Sequence, residues 1–522
     1  MALLRNFATV GGATMASRVL GFVRDVLMAS LIGAGPVADA FLAAFRLPNL
    51  FRRLFAEGAF NAAFVPLFAR ALEADGRDGA RHFAEEILAA LFWTLVGLTA
   101  VAQIAMPGLV YLLVPGFADE PEKFDLTVLL SRITFPYLFC MSIIAFLGGI
   151  LNTFGKFAVA ALAPVLLNIV MISALALVAI TGTGTSAASG IILATGVAIA
   201  GLVQLAALIW ALGREGFGIR FRRPRITPHV RRLVELGIPG VIAGGITQIN
   251  LVIGTVIASA QASAVSYLYY ADRVYQLPLG VVGIAIGVVL LPDLSRKLKA
   301  GDHKAVIDSQ NRSLEFSMAL TLPAAVALFL IATEIVHVLF ERGAFDAGDT
   351  EQTANALAAF ALGLPAFVLI KVFSPAFFAR EDTKTPMWFA GANMVVNVAG
   401  SLALFPFLQH VGIALATSVA AWVNVLLLAG TLARNGDLAI DGLLIRRLLL
   451  LGVASLVMGL GVYYGAAAGQ DFLFNDLLAV RAVALGTLVG FGVALFAALC
   501  QVTGAADFLG FFRRILRRRA AS

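Results

Sequence analysis

The sequence predicts an all-α polytopic membrane protein of about 14 transmembrane helices: two six-helix lobes in parallel pseudo-repeat, followed by two C-terminal helices. Three observations lead there. Hydrophobic residues fill 60% of the 522 positions and charged residues only 13%, with a mean hydropathy of +0.92. A water-soluble chain of this length needs far more polar surface. The apolar residues also come in runs of the roughly 20 needed to cross a hydrocarbon core. Finally, the basic residues between these runs alternate from one side to the other.

Taken in order, the spans fall near 7–32, 37–68, 84–113, 128–151, 157–180 and 187–212 in the first half. The second half gives 233–259, 265–294, 314–340, 353–379, 386–407 and 411–432, and the final pair is 444–467 and 478–501. Of 38 Lys and Arg, 27 lie in alternate loops and tails, whereas the opposite loops hold two, Lys123 and Arg342. Cytoplasmic loops collect Lys and Arg, so both termini are expected in the cytoplasm. The outer loops GFADEPEKFD and ERGAFDAGDTE are acidic. The basic runs RFRRPRITPHVRR and FFRRILRRRAAS act first as topology signals, with anionic inner-leaflet lipids as a second role. No soluble domain exists to carry nucleic-acid binding.

The halves echo one another. PLFARAL, residues 66–72, returns as PDLSRKL at 292–298. Arg46 matches Arg273, Pro136 matches Pro365, and Asn168 matches Asn397, all at offsets of 226 to 229. This parallel repeat divides the chain into a first lobe (1–213), a basic cytoplasmic linker (214–232), a second lobe (233–434) and a terminal pair with a basic tail (435–522). A transport site is expected between such halves near the midplane. The first apolar segment is interrupted by Arg18 and Arg24 and runs too long for a cleavable signal peptide. Cys140 and Cys500 give neither a disulfide framework nor metal-ligand spacing, and the five histidines sit near helix ends.

Nine basic residues fall inside the spans. Arg132 and Arg481 lie near outer ends, where snorkelling suffices. The other seven are Arg18, Arg24, Arg46, Arg52, Arg53, Arg273 and Lys371. Facing lipid, they would cost on the order of 20 kcal/mol together. The acids available to them are Asp25, Asp39, Glu57 and Asp272, with Arg53 and Glu57 one helical turn apart. Cations therefore outnumber acids, which implies an anionic ligand or a solvated vestibule. Arginine's planar fork suits phosphate or pyrophosphate. Pro48 and Gly58 are expected to bend this part of the second span. No enzyme signature competes: the hydrophilic loops are short and basic, and GTGTSAASG, residues 182–190, follows no strand.

At these residues the chain resembles the MurJ/MviN lipid II flippases, within the multidrug/oligosaccharidyl-lipid/polysaccharide exporter superfamily. The similarity lies in residues 11–68, in ADRVYQLPLGVVGIAIGVVLLPDLSRKL and in KVFSPAFFAREDTKTP, and it covers nearly the whole chain. It implies a flippase, not an enzyme, in the bacterial inner membrane. Lipid II, an undecaprenyl-pyrophosphate disaccharide-pentapeptide, would cross by alternating access without a cofactor or a metal, driven by the membrane potential. Sodium or chloride binding is suggested for some members of that family, and the residues of this chain do not choose a coupling ion. It assigns Arg18, Arg24, Asp39, Arg52 and Arg273 to the central cavity, with Arg53, Glu57, Asp272 and Lys371 as second-rank members. The last two spans would hold the lipid tail. Three alternatives are a flippase for another lipid-linked oligosaccharide, a cation-coupled drug exporter, and a non-transporting scaffold that partners cell-wall synthesis proteins. The drug exporter calls for an acidic or apolar cavity, contrary to the basic excess.

Overall fold

The computed structural model describes the backbone of residues 2–53 and 60–505. Side chains are described within these, except at 2–8, 61–62, 239–244, 246–247 and 281–289. Helices joined by turns make up this structure, and the sole strand-like pairing among the described residues is the bridge between Arg342 and Phe345. Two compact units emerge. One is Met1–Ser266 with Arg342–Phe345; the other is Tyr267–Glu341 with Asp346–Ser522. The division falls after Ser266 because the helix that follows the basic segment, Pro228–Ala258, packs against Phe60–Leu113 of the first unit.

In the first unit, α1 (Ala2–Ile32) is 31 residues, about 46 Å long. It packs against α6 (Phe157–Thr181), and a left-handed Gly33 (φ 73°) ends it. Pro36 then opens α2 (Pro36–Phe51) from the first turn, where its missing N–H costs nothing. Pro48 lies inside α2 and cannot donate to the Ala44 carbonyl four residues back. Thr134 of α4 (Pro121–Thr134) supplies that bond, Oγ1 to O at 3.2 Å. The end of α2 widens into a π turn at Arg52 and Arg53. Helix α3 (Phe60–Leu113) is two helical segments broken at Gly76 (φ 66°, ψ −165°). α5 (Pro136–Thr153) and α7 (Ala187–Arg214) complete the aromatic core of Phe64, Phe68, Phe83, Phe146 and Phe217. α8 (Pro228–Ala258) starts on Thr227, whose hydroxyl accepts from the Val230 N–H.

In the second unit, α9 (Ala264–Lys299) and α10 (His303–Leu330) lead to the short α11 (Ala332–Phe340). α12 (Ala347–Phe378) begins with a reciprocal capping box of Asp346 and Asp349. α13 (Lys384–Arg434) breaks at Gln409 (φ 52°, ψ −135°). α14 (Gly442–Ala468), the one-turn α15 (Gln470–Leu473) and α16 (Leu478–Thr503) follow. α14 seats on α10 through Gly459, where a Cβ would come within 2.4 Å of Val326, the close approach that small residues permit in lipid.

Nine helical stretches among the described residues are long and apolar enough to cross a membrane. Two of them, Ala63–Leu113 and Lys384–Arg434, are 51 residues each and contain the breaks at Gly76 and Gln409. α1, which carries Arg18, Arg24 and Asp25, is not among the nine.

Candidate functional site

The charged candidates of the first unit sit on α1 and α2. Arg24 is buried, at 8% exposure, because its fork is used twice. Nε and Nη2 donate to Asp25 Oδ1 at 3.0 and 2.8 Å, and Nη1 donates to Asn168 Oδ1 at 3.0 Å. Asn168 in turn donates to the Ser17 carbonyl at 2.9 Å, so the pseudo-repeat asparagine of α6 orients the arginine. Arg18, near the middle of α1, is exposed. Arg46 donates through Nη1 to the Thr255 hydroxyl of α8. Arg52 is half-buried and donates from Nε to Asn49 Oδ1 at 3.2 Å. Arg53 is exposed, and its expected partner Glu57, like Gly58, lies outside the described residues.

Asp39 has other company than the seven span cations. It is fully buried in the first turn of α2. Lys123 Nζ of α4 stands 3.0 Å from Oδ2, the Ser263 N–H donates to Oδ2 at 3.0 Å, and Ser266 donates to Oδ1 through N (2.9 Å) and Oγ (2.6 Å). Four donors on one carboxylate make a saturated site, so the negative charge is stabilised without water. Lys123, expected in a solvated outer loop, is instead buried, and its ammonium also lies 4.0 Å from the Phe117 ring centroid. Sequence reasoning missed it.

In the second unit, Arg273 of α9 places its guanidinium 4.6 Å from the centroid of Tyr269, one turn back. Its neighbour Asp272 accepts from Gln276 Nε2. Lys371 is exposed on α12. Among the described residues no group of three or more His, Cys, Asp or Glu is arranged to hold a metal ion.

A sequence model of the family described as "Lipid II flippase MurJ" matches residues 28–483. The chain belongs to the MurJ family. Two relatives named probable lipid II flippase MurJ frame that membership. The protein of Rhizobium tropici is 50% identical over 99% of this chain and 97% of its own length. That of Rhizobium meliloti (strain 1021) is 51% identical over 100% and 98%. The solved structure "Lipid II flippase MurJ, inward closed conformation" superimposes with a TM-score of 0.79 at 26% identity, covering 97% of this chain and 99% of that one. An inward-facing multidrug MATE transporter of the MOP superfamily reaches 0.65 at 15% identity, over 81% and 96%, a likeness of fold. For a MurJ-family chain the notable feature is the distribution of charge. Arg24 and Asp39 are locked into buried protein networks, while Arg18, Arg53 and Lys371 stand exposed along apolar helices.

Proposed function

We propose that this protein translocates lipid II from the inner to the outer leaflet of the bacterial inner membrane. The observation that carries the proposal is end-to-end relatedness, at about half of all residues, to proteins named lipid II flippases. The cations support it. A guanidinium exposed on a spanning helix is tolerated where water or an anionic ligand reaches it. Arg18, Arg53 and Lys371 are exposed cations of this kind and Arg52 and Arg273 are half-buried ones, and their forks and ammonium suit the pyrophosphate of the substrate. Arg24, held by Asp25 and Asn168, is fixed within the first unit between α1 and α6.

In this reading the chain crosses fourteen times, with both termini cytoplasmic, and α14 and α16 accommodate the polyprenyl tail. Transport proceeds by alternating access without covalent chemistry. An inside-negative potential is worth about 2.3 kcal/mol per charge per 100 mV, and it favours outward movement of the anion and inward return of the empty cationic site.

The test is transport of labelled lipid II by the purified chain in liposomes, alongside rescue of cells depleted of their own flippase. Arg18→Ala and Arg273→Ala are expected to lower transport at least tenfold with unchanged thermal stability. Arg24→Lys keeps a charge beside Asp25 but loses the fork, and is expected to fail in transport while remaining folded. Full transport by all three variants refutes the proposal.

A further inference from the structure

Between α7 and α8 the chain runs without regular structure from Phe217 to Thr227, and it is tied down at three places. The buried Phe217 ring meets Phe68 and Phe154 edge-on at 5.9 and 5.2 Å. The Glu85 carboxylate of α3, 3% exposed, accepts the Arg220 N–H at 3.0 Å and Arg222 Nε at 2.5 Å. Its neighbour Glu86 accepts from the Thr227 hydroxyl at 2.9 Å and faces His229 Nδ1 at 3.0 Å and His82 Nε2 at 3.2 Å. The nearby Glu215 is paired with Lys156.

Between the second and third ties the segment Arg223-Pro224-Arg225-Ile226 projects outward. All four residues are exposed, and Ile226 is 92% exposed. A bare isoleucine beside two arginines is out of place in water, and the acids that could neutralise the arginines are already engaged. Aromatic neighbours fix the depth of the strap. Phe221 packs edge-on against Phe92 at 4.8 Å, and Phe92 against the exposed Trp93. At the end of α7, Arg214 lies 4.5 Å over the exposed Trp210. Exposed tryptophans on spanning helices mark the head-group level. The strap is thereby tied, through Phe92, to the level that exposed tryptophans favour.

We propose that Arg223–Ile226 is a membrane-surface anchor for anionic phospholipid. Arg223 and Arg225 engage head-group phosphates, and Ile226 enters the acyl boundary with Phe221 beside it. The two glutamates of α3 hold the backbone so that these side chains point away from the protein. This use of the segment is separate from transport of the substrate.

The experiment uses the full chain, with Ile226→Cys carrying an environment-sensitive NBD dye; Cys140 and Cys500 are buried and stay unlabelled. Nanodiscs are prepared with phosphatidylglycerol as the anionic lipid, or with phosphatidylcholine alone. In anionic discs the dye emission is expected to shift to the blue and to be quenched by doxyl-labelled lipid. Each arginine is expected to account for about fivefold in this partitioning. Arg223→Gln/Arg225→Gln in anionic discs, the unchanged strap in neutral discs, and high salt should each return the dye to water. Water-like emission in both kinds of disc would assign the strap to a soluble partner or to solvent and overturn the proposal. Equal burial in both would overturn the role of charge.

Discussion

Asp39 and Lys123 form an ion pair from which water is excluded, and such pairs respond asymmetrically to mutation. Removing one partner strands a charge at a cost of about 3–5 kcal/mol, whereas replacing both is often near neutral. Lys123→Met is therefore expected to lower thermal stability sharply in detergent-solubilised protein, and Asp39→Asn/Lys123→Met to recover most of the loss. Additive losses in the double variant would show that the pair is not coupled. Lys123 is hidden in the sequence because its segment, GFADEPEKFD, has the composition of an outer loop, which puts the predicted start of the span near 128. The helix in fact starts at Pro121, with Pro in the first turn. Counted from there, Lys123, Thr127, Leu130 and Thr134 fall on one face at helical spacing, and all are buried. The signal was present, but it required the correct helix start. The partners of Arg24 were half legible: Asp25 is adjacent, while Asn168 lies 144 residues away and was visible only as a repeat position.

Helices in this protein end and bend where the backbone demands it. Gly33 follows α1 at φ 73°, and an added Cβ there would sit 2.4 Å from the Ala344 carbonyl oxygen. The reciprocal contact involves Gly343 at φ 59°, whose Cβ would meet the Ser30 oxygen at 2.2 Å, and the Ala344 N–H donates to that same oxygen at 2.8 Å. Gly35, two residues on, has an ordinary φ of −113° and open space around its Cβ position. Gly33→Ala should thus destabilise by about 1–3 kcal/mol through strain and displacement, and Gly35→Ala should be close to neutral; thermal melts of both variants distinguish the cases. The long helices were read from the sequence as separate spans, and Gly76 and Gln409 break them within the loops expected there. The charge run near 70–82 looked like a loop because it is polar, yet the chain stays helical on either side of Gly76. Polarity marks solvent, and an exposed helix satisfies it as well as a loop does.

At the scale of the molecule, the alternation of basic and acidic loops predicts an orientation with the basic loops cytoplasmic, the side on which Lys and Arg collect. Cysteine accessibility checks that orientation against a quiet background, because Cys140 and Cys500 are buried. In intact cells, Glu122→Cys should react with a membrane-impermeant maleimide, while Asp78→Cys should react only after the membrane is opened. Reaction at Asp78→Cys in sealed cells would reverse the topology. Matched prolines, arginines and asparagines suggest a two-fold repeat in the sequence; the border between compact units is set in three dimensions. It depends on α8 packing against α3 and on a four-residue piece, Arg342–Phe345, that docks on the end of α1. No contiguous stretch of this polypeptide is thus the whole first unit. A gene split after Ser266 would yield an N-terminal fragment with a vacant seat at Ser30 and Gly33, which the downstream fragment must fill before either half can match its shape in the intact chain.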